Sequence, residues 1–155
     1  MASLEDFLNA KEEEQIVTAI RQAEQKTSGE IRVHIENGGS KAIETRAKEV
    51  FHQLKMDRTK LQNGVLIYVA VSKHQFGIYG DKGIDTKVTS TFWDDTRDVM
   101  QNLFKQEQFK EGLVQGVLTA GKALEAHFPW ESDDTNELSD SISKGSDVWK
   151  IDSKK

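Results

Sequence analysis

The feature that most constrains the fold is a run of seven consecutive apolar residues, 65–71, which reads Val-Leu-Ile-Tyr-Val-Ala-Val. The run has the length of a strand, it is rich in β-branched side chains, and the turn residues Asn63 and Gly64 precede it. An apolar run without alternation is typical of a strand that is buried on both faces. A sheet that contains such a strand needs helices on both sides, which favours an α/β architecture.

Two elements before this run complete a strand-helix-strand unit. Residues 30–36 alternate polar and apolar side chains, as a half-buried strand does. Residues 42–55 carry an apolar stripe at helical spacing, formed by Ile43, Ala47, Val50, Phe51 and Leu54. Two strands joined in this way are parallel, and their crossover is right-handed.

The other elements extend this unit to a complete domain. Further helices are predicted over residues 10–26, 90–106 and 109–127, and a short polar turn predicts a hairpin whose second strand is 75–79. We expect residue 71 to pair near residue 76 in this hairpin. The predicted fold is α/β, a three-layer α/β/α sandwich around a small mixed β-sheet.

Apolar residues are distributed unevenly along the chain. They make up 36% of all residues, but only five lie in residues 131–155: Leu138, Ile142, Val148, Trp149 and Ile151. Of the net charge of -5, seven acids against four lysines place -3 in that segment. We therefore predict one folded domain over residues 1–130 and a polar, disordered tail over residues 131–155.

Composition also excludes several classes of protein. The absence of cysteine excludes disulfides, thiolate metal sites and cysteine nucleophiles. The first residues lack the basic and apolar regions of a signal peptide, and no apolar run is long enough to span a bilayer, so we expect a soluble, cytoplasmic protein without membrane insertion. A mildly acidic chain without a basic face is not expected to bind nucleic acid.

Acidic and amide side chains converge on one rim of the predicted sheet. Glu30 starts one strand, Asn63 precedes the next, and the hairpin returns the chain to the same end at Asp81 and Asp85. Asp57 lies in the loop that arrives there, and Asp94 lies at the start of the helix that leaves. These oxygen donors suit a hard cation, so we predict a Ca²⁺ or Mg²⁺ site formed by six residues: Glu30, Asp57, Asn63, Asp81, Asp85 and Asp94.

The sequence also resembles the TPM domain family, whose members occur in bacteria and in thylakoid lumen proteins. The matching pieces run in order from Thr27-Ser28-Gly29-Glu30-Ile31, through Thr59 with 63–69 and the segment 80–84, to Phe92-Trp93 and His127-Phe128-Pro129. The resemblance implies an α/β/α sandwich that binds divalent metal in an acidic cleft, and an acid phosphatase activity described for plant members. The chain is similar to the short, stand-alone form of the domain.

Three hypotheses for function stay open at this point. The first is divalent-cation binding, and the second is a metal-dependent phosphomonoesterase in which Lys82 or Lys60 steadies the phosphate. No nucleophile with a paired base is recognisable, so the catalytic residues are unknown. The third is an interaction module that contacts an unidentified protein partner through residues 128–130 or Val148 and Trp149.

The opposite rim of the sheet is the alternative location for a site. Ligands of open α/β sheets usually bind beyond the carboxyl ends of parallel strands, and here that rim carries Glu36, Glu44 and the segment 38–40. We favour the first rim because three loops with acids or amides meet there.

Overall fold

The structure is a computed structural model that describes residues 7–89, 91–130 and 142–144. Within these ranges the strands are β1 (Glu30–Glu36), β2 (Gly64–Ala70), β3 (Gln75–Gly80) and β4 (Ser143–Lys144). The helices are α1 (Ala10–Glu24), α2 (Ile43–Gln53), α3 (Lys82–Asp85), α4 (Asp94–Lys105) and α5 (Phe109–Glu125). The elements that the sequence predicts are therefore present, with ends that differ by a few residues.

The four strands form one mixed sheet in the order β3-β2-β1-β4. β1 and β2 are parallel, with Glu30 opposite Gly64, and β3 is antiparallel to β2, with Val65 opposite Gly80. The predicted strand-helix-strand unit and hairpin are confirmed. The hairpin register differs by two residues, because Phe76 pairs with Val69 and the chain turns in a short 3-10 helix over Val71–Lys73.

Side chains of β2 alternate between two separate cores. Val65, Ile67 and Val69 enter the larger core, which α1, α4 and α5 cover. Leu66 and Tyr68 enter the smaller core, which α2 covers. Every residue of β1 and β2 is buried. The apolar run thus has helices on both faces, and the predicted three-layer sandwich is confirmed.

Local signals set the ends of the helices. At α1, the Asn9 side chain accepts from the Glu12 N–H at 2.8 Å and the Glu12 side chain accepts from the Asn9 N–H at 3.0 Å, the capping box that their spacing predicts. The predicted helix over 90–106 starts only at Asp94, because turn hydrogen bonds to the carbonyls of Thr89 and Thr91 precede it.

The strand β4 is not predicted from the sequence. It lies in the segment assigned to the polar tail and pairs with His34 and Ile35 of β1, while Ile142 beside it is buried in the larger core. The rest of the predicted tail lies outside the described residues. Within the ranges that are described, none of the helices combines the length and apolarity that a membrane crossing requires.

Candidate functional site

Three of the predicted site residues meet at one rim of the sheet. The Glu30 N–H donates to the Asn63 carbonyl at 3.3 Å, and the Asp81 N–H donates to the Gly64 carbonyl at 3.0 Å. The side chain of Asn63 reaches the Ser28 hydroxyl at 3.5 Å. Glu30, Asn63 and Asp81 are all buried. Parallel pairing of β1 with β2 and the return of β3 therefore bring the backbones of these three residues to one rim, as the topology predicts.

The two carboxylate oxygens of Asp81 differ in their contacts. Its Oδ1 accepts from the Lys82 N–H at 2.7 Å, which caps the single turn α3. Its Oδ2 is buried and has no hydrogen-bond partner among the described residues. A buried polar atom without a partner costs free energy, so this oxygen is available to a ligand that would satisfy it.

The loop before Asn63 packs closely against the turn that follows Asp81. The Gly83 N–H donates to the Gln62 carbonyl at 2.8 Å. A Cβ on Gly83 would lie 2.3 Å from the Leu61 carbonyl oxygen, so only glycine allows this approach. The contact holds the backbone before Asn63 against the turn that follows Asp81.

Asp57 and Asp85 differ from these three residues in their exposure to solvent. Both are exposed, and Asp57 Oδ2 lies 3.3 Å from His52 Nδ1. Burial, and then the nearby charges of Asp81, Asp85 and Asp57, raise the pKa of the Tyr79 hydroxyl. The three aspartates thus share one electrostatic neighbourhood around Tyr79.

Asp94 is near the rim but has a local partner. The Trp93 ring lies about 3.5 Å from where a Cβ of Gly80 would be, so the start of α4 covers the end of β3. The Asp94 carboxylate is exposed and accepts from Arg97 at 3.0 Å, one turn along the same helix. An acidic side chain in the first turn stabilises a helix by interacting with the helix dipole. The helix alone therefore accounts for an aspartate at position 94.

Carboxylates and histidines alone do not assemble a metal centre in the part of the chain that is described. No three Asp, Glu or His side chains lie close enough there to hold an ion together. A cation at the rim would therefore need the amide oxygen of Asn63 or backbone carbonyls besides Glu30 and Asp81. Such neutral oxygens are ordinary ligands for Ca²⁺.

A second polar cluster occupies the opposite rim, at the carboxyl ends of β1 and β2. Glu36 accepts from His34 Nε2 at 2.9 Å, from Arg46 Nε at 2.8 Å and from the Tyr68 hydroxyl. The other ring nitrogen of His34 lies 2.9 Å from the Ser143 hydroxyl. Sequence reasoning named Glu36 as part of the alternative rim but missed its three partners, His34, Arg46 and Tyr68. Strand alternation, which places His34 and Glu36 on one face, was the available signal.

The protonation states in this cluster follow from burial and hydrogen bonding. Burial opposes ionisation of Glu36, but the hydrogen bonds from His34, Arg46 and Tyr68 outweigh it and hold the pKa of that carboxyl well below its usual range. Burial lowers the pKa of His34 from its ordinary value of 6.5, against the pull of Glu36. The pair is therefore an ionised carboxylate and a neutral imidazole at neutral pH.

This arrangement predicts a loss of stability in mild acid. His34 binds its proton more readily unfolded than folded, so its contribution is complete above about pH 6.5 and is lost as pH falls toward the folded pKa, by up to about 1.4 kcal/mol per pH unit. Urea unfolding between pH 8 and pH 5 measures this loss of stability. The fall in the free energy of unfolding per pH unit should persist in a His74→Gln control and become smaller in His34→Gln. An equal fall in both variants would contradict the attribution to His34.

Comparisons with known proteins show the family of this chain. A model of the TPM domain matches residues 2–123. The NMR structure of the BA42 protein from the psychrophilic bacterium Bizionia argentinensis is 58% identical, covers 94% of this chain and 100% of its own, and superposes with a TM-score of 0.88.

Two more distant structures share the fold. The N-terminal domain of a protein from P. gingivalis is 20% identical with a TM-score of 0.65, and covers 79% of each chain. The N-terminal domain of the cg2496 protein from Corynebacterium glutamicum is 16% identical with a TM-score of 0.58, and covers 76% of this chain and 74% of its own. No curated protein matches the chain.

Proposed function

The chain belongs to the TPM domain family, and from this premise we propose that it binds a divalent cation at the rim formed by Glu30, Asn63 and Asp81. The observation that carries the proposal is the buried Asp81 Oδ2, for which the described part of the chain provides no hydrogen-bond partner. A cation would satisfy this oxygen.

The donors at the rim are oxygens of the kind that hard cations prefer. Glu30 and Asp81 supply carboxylates, and Asn63 supplies an amide oxygen, because its nitrogen is the atom that faces Ser28. Ca²⁺ accepts carboxylates, amides, backbone carbonyls and water in a flexible shell of six to eight ligands. Mg²⁺ demands a stricter octahedron and keeps more of its water. A rim with two carboxylates and several neutral oxygens therefore suits Ca²⁺ better than Mg²⁺.

The outer acids have a different role in this proposal. Asp57, Asp85 and Asp94 are exposed, and two of them already pair with His52 and Arg97. Their charges raise the local concentration of cations around the rim without direct coordination. Their removal should weaken binding less than removal of Asp81, and this smaller effect should fade at high salt.

A calcium titration of the ¹⁵N-labelled chain tests the proposal. Amide signals of residues 30, 63 and 81 should shift together and saturate, and Asp81→Asn should weaken binding by at least about tenfold. Asparagine keeps the size of the side chain and an acceptor for the Lys82 N–H.

The matched control is Glu44→Gln, which removes an exposed carboxylate from the other end of the sheet. This variant should bind Ca²⁺ within about twofold of the unmodified chain, because screened charges at this distance contribute little. The proposal fails if Asp81→Asn binds as well as Glu44→Gln, or if the shifts are confined to other parts of the chain.

A further inference from the structure

Two large apolar side chains are exposed in the described part of the chain, Leu61 at 47% and Trp130 at 48%. Leu61 lies two residues before Asn63, in the loop that leads into β2. The Trp130 N–H donates to the Lys26 carbonyl at 3.3 Å, four residues before β1 begins. Both residues therefore lie at the end of the sheet where the proposed cation site is formed. Single apolar side chains on a surface are ordinary, but two at one end of a domain indicate a contact surface.

Hydrogen bonds connect the two loops that carry these side chains. The Ser28 N–H donates to the Phe128 carbonyl at 2.8 Å, so the segment with Trp130 lies along the segment before β1. The Ser28 hydroxyl lies 3.5 Å from Asn63 Nδ2, which joins that segment to the loop with Leu61. The turn after β3 belongs to the same surface, because the Gly83 N–H donates to the Gln62 carbonyl. We call this surface, formed by residues 26–30, 57–63, 81–87 and 127–130, the rim face.

Positive charge is concentrated on the rim face. Five of its residues are basic and four are acidic, which gives a formal net charge of +1 on a chain whose net charge is -5. The basic side chains are all exposed, and they are Lys26, Arg58, Lys60, Lys82 and Lys87. Lys87 Nζ lies 4.5 Å from the centre of the Phe128 ring, so one of these charges is held beside the segment that carries Trp130.

The acids of the rim face make its charge depend on a bound cation. Glu30 and Asp81 belong to the proposed cation site, and Asp57 and Asp85 are exposed beside it. Without a cation, these carboxylates oppose the approach of an anionic surface. A bound divalent ion would add two positive charges, and such an ion is often the largest local charge at its site. Attraction of the rim face to anions is therefore expected to increase when the cation is bound.

The combination of exposed basic and apolar side chains fits the surface of an anionic membrane. Basic residues are attracted to anionic lipid head groups, and tryptophan is enriched at the boundary between head groups and hydrocarbon. Peripheral attachment commonly combines an apolar contact with a basic patch, because either one alone binds weakly. A soluble anion would contact the basic residues but would leave Leu61 and Trp130 in water. The apolar pair therefore favours a bilayer over a free phosphate.

We propose that the rim face binds the surface of an anionic membrane when the cation site is occupied. Leu61 and Trp130 rest at the boundary between head groups and hydrocarbon, and the five basic side chains contact lipid phosphates. The contact is peripheral and requires no helix that crosses the bilayer. This inference rests on the proposed cation site, because the bound cation supplies part of the positive charge.

Sedimentation of the full chain with lipid vesicles tests the proposal. The probes are vesicles of phosphatidylcholine alone and vesicles that also contain about 30% phosphatidylserine, each with calcium or with a chelator. We expect the chain to bind anionic vesicles in calcium at least about tenfold more strongly than neutral vesicles in calcium or anionic vesicles in chelator. Equal binding under these three conditions, or no binding under any of them, would overturn the proposal.

Substitution of the apolar pair separates membrane contact from cation binding. Trp130→Ser and Leu61→Ser should each weaken binding to anionic vesicles by about tenfold, because each removes apolar area that leaves water on contact. Both side chains are exposed, so both variants should keep the fold and bind Ca²⁺ within about twofold of the unmodified chain. The two residues lie on separate loops, so either variant decides the test if the other does not fold. Unchanged vesicle binding in both variants contradicts the proposed contact.

Reversal of charge tests which face meets the membrane. Lys26→Glu should weaken binding to anionic vesicles by about tenfold. The matched control is Lys105→Glu, because Lys105 is also exposed but ends α4, about 16 Å along the helix from its start beside the rim face. The control should bind within about twofold of the unmodified chain, since screening limits the reach of its charge. Equal losses in the two variants would show that binding follows total charge and would exclude a specific face.

The remaining outcomes distinguish this inference from the cation proposal. A chain that binds Ca²⁺ at residues 30, 63 and 81 but not anionic vesicles overturns the membrane contact alone. Vesicle binding that Asp81→Asn leaves unchanged overturns the dependence on the cation. Release of the chain from vesicles by soluble glycerophosphoserine, at the same concentration as the lipid head groups, would assign the face to a free phosphate ester and contradict a membrane as its ligand.

Discussion

Replacement of Glu36 by alanine is expected to lower the free energy of unfolding by about 3 to 5 kcal/mol. Its carboxylate accepts hydrogen bonds from His34, Arg46 and Tyr68 in a buried position. Alanine would leave these donors without their acceptor and one guanidinium without its buried counter-charge. Removal of one partner from a buried pair costs far more than the pair contributes when intact, because the remaining group stays desolvated. Urea unfolding at pH 7.5 measures the loss.

Glu49→Ala is the matched control, because Glu49 also contacts Arg46, at 3.3 Å. The Glu49 side chain is 34% exposed against 10% for Glu36, so water replaces the lost contact and the expected loss is below about 1 kcal/mol. Losses of similar size in the two variants would show that burial does not set the strength of this network.

Gly83→Ala is expected to destabilise the domain by about 3 kcal/mol and to weaken cation binding. The new Cβ would lie 2.3 Å from the Leu61 carbonyl oxygen and 2.5 Å from that of Gln62. Both atoms belong to the backbone, so relief requires the loop before Asn63 to move away from the turn after Asp81. Thermal unfolding and a calcium titration of the variant measure the two effects.

Gly39→Ala provides the corresponding control. A Cβ on Gly39 would meet no atom of the described residues within 4 Å, so the free energy of unfolding should change by less than about 0.5 kcal/mol. If Gly83→Ala is as stable as Gly39→Ala, the loop is more compliant than its contacts indicate, and the rim does not depend on this close approach.

Most of the fold could be predicted because its signals are local. The apolar run of β2, the alternation in β1 and the stripe of α2 each lie within one element, and the rules for parallel crossovers connect them. The hairpin register was missed by two residues. The 3-10 turn over Val71–Lys73, with His74 in the left-handed conformation, takes up Val71, which the apolar run assigns to the strand.

The candidate rim could be predicted only in part. Glu30, Asn63 and Asp81 sit at strand ends, and strand ends come together once the topology is known. Asp57 and Asp94 are loop and helix residues whose side chains find partners close by, in His52 and Arg97. Proximity in the chain to a strand end does not decide where such side chains point.

The strand β4 and the Glu36 network depended entirely on tertiary structure. By itself the sequence determined the order of the elements, the parallel pairing of β1 with β2 and the convergence of three polar residues at one rim, because periodicity and chain connectivity carry that information. A strand of two residues has no periodicity, and the burial of Ser143 depends on His34, more than a hundred residues earlier in the chain. Only the folded structure brings these groups together, since each polar side chain tolerates burial solely because the others satisfy its hydrogen bonds.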